Sequence, residues 1–236
     1  MLFGFFWGDW TIIILIPAMI FAFFAQSRVQ STFKQYAKIA SRRGITGAEA
    51  ARRVLDAAGL YQVRIEQVSG HLTDHYDPRD NVIRLSNSVY GSTGIAAIGV
   101  AAHEAGHACQ HAEAYLPIKV RAAIIPLTRF GSALAMPLFI IGMLSAASSA
   151  LGDVFMLAGI LFFSFSTLFQ LVTLPTEFNA SARAMRALEE GGVLTADELP
   201  GARKTLSAAA LTYVAALAAS IASLLRLILI FNGRRD

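Results

Sequence analysis

An uninterrupted apolar run from about Phe5 to Phe24, carrying the single acid Asp9 near its start, constrains this chain more than any other feature. About twenty helical residues cross roughly 30 Å of hydrocarbon, and within lipid a helix satisfies every backbone polar group along its own length. No Lys or Arg precedes the run and no clear small-residue cleavage site follows it, so it reads as an uncleaved anchor rather than a signal peptide. Similar runs at about Phe130 to Ala150, Val154 to Leu174 and Leu206 to Phe231 bring the expected spans to four. Only a few residues around Ser149 to Asp153 separate the second from the third, which predicts an antiparallel helical pair. Arg226, inside the fourth, is expected to snorkel or to face protein.

Composition agrees. Hydrophobic residues make up 55% of the 236 residues and charged residues 15%, too apolar a balance for an ordinary soluble domain of this size. A net charge of +4 without an accompanying aromatic-basic stripe gives no support for a nucleic-acid partner. With Cys109 as the one cysteine, no disulfide can form within the chain, which excludes a disulfide-stapled secreted fold. The basic residues gather in two polar regions, about Gln26 to Arg129 and about Pro175 to Lys204, separated by two crossings and so on one side of the bilayer. The positive-inside rule makes that side the cytosol, with Arg234 and Arg235 at the far end as the opposing signal.

Within the first polar region, Thr46-Gly47-Ala48-Glu49 has the form of a capping box, and apolar positions continue to Ala58 before Gly59 ends the helix. Tyr61, Val63 and Ile65 alternate with polar residues as in a half-buried strand; Thr73 to Asn81 is rich in turn residues; Asn81 to Ser86 reads as a second strand with Ile83 and Leu85 on one face, although Val82 spoils strict alternation. An Ala-rich helix is expected from near Ser92 or Thr93.

That helix carries His103-Glu104-Ala105-Gly106-His107. Residues four apart lie about 6 Å apart on one helical face, so the two imidazoles can address one metal ion. Glu104 falls on the flank of that face, where it can act as general base on a water that zinc activates. A chance match on an Ala-rich helix is the competing reading, but the apolar, small-residue surroundings suit a helix buried beneath a cleft. A catalytic zinc usually takes three protein ligands. His111 continues the four-residue spacing, yet an unbroken helix puts it about 12 Å along the axis from His103, so a polar role at the helix end fits it better. Glu177, just after the third span on the same side of the membrane, can complete the set. Position alone leaves it equally readable as a helix N-terminal glutamate following Pro175. His75 from a loop and Arg183 beyond Glu177 are further candidates, as donors to a developing oxyanion, against plainer roles in a turn and at a solvated or headgroup surface. Cys109 is turned away from the histidine face and reads as a packed thiol.

Four blocks together resemble the bacterial neutral zinc metallopeptidase family of membrane proteins, the YugP-like family. They are Gly44-Ile45-Thr46-Gly47; Leu72 through Arg79 with Ile83-Arg84-Leu85-Ser86; Ala102 through Ala108 with Gln110-His111; and Leu174-Pro175 with Glu177 through Ser181. The resemblance implies a mainly α membrane protein with a gluzincin-like peptidase domain, an active-site helix plus a small β-sheet, on the cytosolic side. It implies zinc peptidase activity with one zinc per chain, His103, His107 and Glu177 as ligands and Glu104 as base. It also implies that Asn81 to Ser86 pairs with an extended substrate. Asn179 to Ser181 stand where an acidic residue often follows the ligand glutamate, which leaves Asn179 a candidate for orienting the site without a charge.

The expected organisation is thus a first membrane helix over 1–25, a cytosolic zinc peptidase region over 26–129, a membrane hairpin over 130–174, a cytosolic segment with the third ligand over 175–204, and a fourth membrane helix with its tail over 205–236. The expected location is a bacterial inner membrane, and the expected partners are the bilayer and protein or peptide substrates; oligomeric state is not legible in the sequence. The contrasting function is a catalytically silent, zinc-stabilised scaffold, which would have no need of a base at Glu104. A transporter fits poorly, because the charges lie outside the spans.

Overall fold

The computed structural model describes residues 10–145 and 149–234, so Asp9, the start of the first apolar run and Arg235 lie outside the described residues. The described residues are mostly helical with one three-stranded sheet. Among the described residues, four helices are long and apolar enough to cross a membrane. A 3-10 turn at Trp10–Ile14 leads into α1 (Leu15–Tyr36), followed by α2 (Gly47–Ala57), β1 (Arg64–Val68), β2 (His75–Asp77), β3 (Val82–Ser86), α3 (Ile95–Ala112), α4 (Leu116–Leu144), α5 (Ala150–Glu190) and α6 (Leu199–Gly233). The chain divides into two compact units, one of residues 1–24, 120–173 and 213–236, the other of residues 25–119 and 174–212.

In the first unit, α4 and α5 approach at small residues. A Cβ on Gly131 would lie 2.8 Å from the Phe162 carbonyl, and one on Gly159 would lie 2.7 Å from that of Ala135. As one number rises the other falls, so the pair is antiparallel, and the backbones meet where neither helix has a side chain to spare. α4 ends at Leu144 and α5 is already helical from Ala150, so the stretch from Ala150 to Asp153 that the composition suggests as a link is helix. Phe139, Met156, Leu227 and Phe231 close a small core against α6. Arg234 donates to the carbonyls of Gly142 and Ser145, so this cation is held at the C-terminal end of α4, where the helix dipole favours it.

The second unit holds the larger core. Thr46 and Glu49 form the reciprocal capping box of α2, and Gly59, at φ +71°, follows the helix end. α2 packs its Ala50, Ala51, Val54 and Leu55 face against α3. α3 is buried almost all round because Ala96, Ala97, Ala101, Ala102, Ala105 and Ala108 present so little bulk that neighbours close in on every side. Backbone bonds from Ser41 to the Thr93 carbonyl and from Ile95 to the Ile39 carbonyl pin its start.

Three expectations need correction. The turn-rich Thr73 to Asn81 stretch contains a strand, β2, with tight turns confined to its flanks. The sheet order is β1-β3-β2, with β1 parallel and β2 antiparallel to β3, so Asn81 to Ser86 lies at the sheet centre. β1 takes one edge of β3 along its whole length and β2 the other over Val82, Ile83 and Arg84, which argues against β3 as the strand that pairs with substrate; Val82, Ile83 and Leu85 are all fully buried rather than alternating, so both faces of the strand are covered. Finally, Pro175 does not end a helix. α5 runs through it to Glu190, because a proline costs one backbone hydrogen bond and a buried or lipid-facing helix has no better conformation to adopt. Glu177 is therefore mid-helix, and the helix N-terminal reading of it lapses.

Replacing Thr46 with Ala removes the side-chain half of the capping box and should lower stability by about 1 kcal/mol, read from thermal unfolding of the detergent-solubilised protein.

Candidate metal centre

α3 presents His103, Glu104 and His107 on one side, and α5 presents Glu177. The helices meet at Gly106, where a Cβ would lie 2.6 Å from the Ala180 carbonyl. Ala180 and Ala184, facing α3, are fully buried. The glycine of the motif is thus the feature that lets a distant carboxylate reach the two imidazoles.

Glu177 Oε2 sits 3.3 Å from His103 Nε2 and 3.5 Å from His107 Nε2. The candidate ligand atoms all lie within 4.8 Å of one another. Bonds of about 2.0–2.2 Å in a tetrahedral zinc site place donors about 3.3–3.6 Å apart, which the two carboxylate–imidazole separations match. The Glu177 side chain is 3% exposed, against 14% for His103 and 12% for His107, so the site opens on the histidine side.

Hydrogen bonding tests the fit independently. The Thr176 carbonyl can only accept, so the Gln110 amide nitrogen, 2.8 Å away, must face it. The Gln110 Oε1 atom is then the one lying 3.0 Å from His107 Nδ1, and this nitrogen must carry the proton. A neutral His107 consequently aims a bare Nε2 lone pair at a carboxylate oxygen. Two lone pairs facing one another call for a cation between them, either a proton or a metal ion. With a proton there, burial opposes the charge on His107, but the hydrogen bond to Glu177 and the nearby charges of Glu104 and Glu177 outweigh it and move its pKa upward. Two imidazoles and a carboxylate form the donor set of a known class of catalytic zinc site, so the residues present fit the ion.

Glu104 is largely buried, its charge is felt at His107, and it makes no side-chain hydrogen bond among the described residues. His103 Nδ1 lies 3.1 Å from Ser181 Oγ. Gln110 and Thr176 were given no role from sequence, and Ser181 only a place in the Asn179 to Ser181 stretch, although spacing offered a signal: Gln110 is three residues past His107 and Ser181 four past Glu177, each on the face of a ligand. Asn179 accepts from the Gln110 amide at 2.9 Å and from Arg183 Nε at 2.7 Å. The Arg183 guanidinium is engaged twice more, at 2.6 and 2.7 Å, by the two oxygens of Glu113. This pairing ties the end of α3 to α5 and holds the Glu113 carboxyl below its usual range. His111 rests on the Tyr76 ring at 5.4 Å and is not part of the cluster. His75 is exposed on β2 rather than in a loop, donates from Nδ1 to the Thr73 carbonyl at 2.8 Å, and makes no contact with the cluster among the described residues. Cys109 is a buried thiol whose pKa burial raises.

These features delimit a class, a membrane protein with a histidine-histidine-glutamate centre, and the comparisons agree with it. Residues 11–232 match the family described as "Putative neutral zinc metallopeptidase", and the chain belongs to that family. It is similar to the "Putative membrane protease YugP" of Bacillus subtilis (strain 168), at 48% identity over 225 residues that cover 95% of this chain and 98% of that protein. No solved structure matches.

Gly106→Ala should force the helices apart and lower zinc affinity about 10-fold or more, measured by chelator competition. A carboxyl with a depressed folded pKa adds stability that is present above its unfolded value and lost as pH falls through the folded one. Glu113→Gln should therefore weaken the fold at neutral pH while reducing further loss on acidification from about pH 6 to pH 3, read by unfolding temperature.

Proposed function

We propose that this chain is a membrane-embedded zinc endopeptidase that cleaves membrane-associated or unfolded proteins, with His103, His107 and Glu177 holding one zinc ion and Glu104 acting as general base. The observation that carries the reading is the Glu104 carboxylate. It is largely buried beside the histidines and makes no hydrogen bond among the described residues, which leaves its lone pairs free to take a proton from a water on the open, histidine side of the site. Zinc in this site would supply Lewis acidity, polarising a carbonyl and acidifying water. Glu104 Oε takes the proton from the attacking water and returns it to the leaving amine nitrogen, while Glu177, already shared between two imidazoles, stays ionised and does not compete as a base.

An extended substrate would pair with β2 rather than β3. β2 is an edge strand, and its Tyr76 packs on His111, one helical turn beyond His107. The cytosolic orientation rests on the basic residues of 26–129 and 175–204. The opposing Arg234 is accounted for by the helix-end carbonyls it caps.

Purified wild type in detergent should carry about one zinc per chain and cleave an unfolded or membrane-anchored test protein. Glu104→Gln should keep the metal and the fold while losing at least about 100-fold in cleavage rate. Undiminished cleavage by Glu104→Gln would refute the assignment of the base, and zinc retention without cleavage of any such substrate by wild type would favour the scaffold.

A further inference from the structure

Gln110 is fully buried and uses its whole amide. Its oxygen lies 3.0 Å from His107 Nδ1, and its nitrogen donates to the Thr176 carbonyl at 2.8 Å and to Asn179 Oδ1 at 2.9 Å. Two of these partners have other support. Thr176 lies inside the α5 helix, and Asn179 also receives Arg183 Nε. His107 Nδ1 has no second partner among the described residues, so the bond that Gln110 makes to it is the one without a substitute.

We propose that Gln110 is the positioning residue of this centre, its single amide setting the tautomer of His107 while holding the helical turn from which Glu177 projects. The proposal rests on the zinc-site reading above and adds the control of one ligand by one neutral side chain. His107 has two neutral tautomers. With the proton on Nδ1, Nε2 is bare and ready for an ion. With the proton on Nε2, the imidazole can donate to Glu177 Oε2, 3.5 Å away, and the candidate ligands would satisfy each other. Gln110 selects the first, because its oxygen can only accept, and its orientation is enforced from the other end by a carbonyl that can only accept as well. Thr176 directly precedes Glu177, so the same amide links the tautomer of one candidate ligand to the placement of the other.

The test compares full-length wild type with Gln110→Met, which keeps volume without a hydrogen-bonding amide, and Gln110→Glu, which keeps an acceptor beside Nδ1. Long-range proton–nitrogen NMR of the metal-free protein, recorded above the pH at which the His107 ring-nitrogen shifts stop changing, reads the His107 tautomer, and chelator competition reads zinc affinity. Wild type is expected to show the Nδ1–H form. Gln110→Met is expected to shift His107 toward Nε2–H and to lose about 10- to 100-fold in zinc affinity, and Gln110→Glu to retain the wild-type tautomer. A wild-type tautomer and affinity in Gln110→Met would overturn the proposal. So would loss of cooperative unfolding in both variants, which would make Gln110 a packing element. If wild type itself binds no zinc, the zinc-site reading fails, while the tautomer comparison still judges Gln110.

Discussion

The site depends on one electrostatic circumstance: a single carboxylate oxygen, Glu177 Oε2, stands between two imidazole nitrogens at 3.3 and 3.5 Å, on a side chain almost wholly removed from water. A buried arrangement in which acceptors face each other is unfavourable unless a cation joins them. The remainder of the second unit can be understood as the means of holding that arrangement. Alanines on α3 admit close neighbours, Gly106 admits α5, and the bidentate Arg183–Glu113 pair, with Asn179, latches α5 to the end of α3.

The groups that steady the two imidazoles, Ser181 and Gln110, are neutral, as is Asn179 behind Gln110. Carboxylates in these places would add negative charge to a pocket that already holds Glu104 and Glu177, and each further buried charge raises the cost of desolvation. Hydroxyl and amide partners orient the rings without that cost. This gives a physical account of Asn179 to Ser181, where a charged partner was the more familiar expectation.

α5 is notable for its length. One helix of 41 residues contains both an apolar stretch long enough to cross a bilayer and the carboxylate of the candidate centre, with Pro175 between them. Local propensity argues for a break at the proline, and the helix persists because packing along Ala180, Ala184 and Leu188 outweighs one lost backbone bond.

Much of this was legible in the sequence, because its signals are local or compositional. Apolar runs of bilayer length, a reciprocal capping box and two histidines four apart on a helix all express short-range geometry, and each determined an element of the structure. Family membership was legible in the same way, from four short blocks in order. The sheet order was not: β3 is central because β1 and β2 take its two edges, and pairing between separated segments leaves no local trace. Nor was the helix through Pro175, or the position of His75 on an exposed strand. That Glu177 reaches the imidazoles, that Gln110 bridges His107 to the turn beside Glu177, and that Arg183 is engaged by Glu113 are facts about two helices meeting some seventy residues apart in the chain. The sequence by itself determined which chemical groups were on hand. Only tertiary packing, through a backbone approach that Gly106 permits, decided which of them converge.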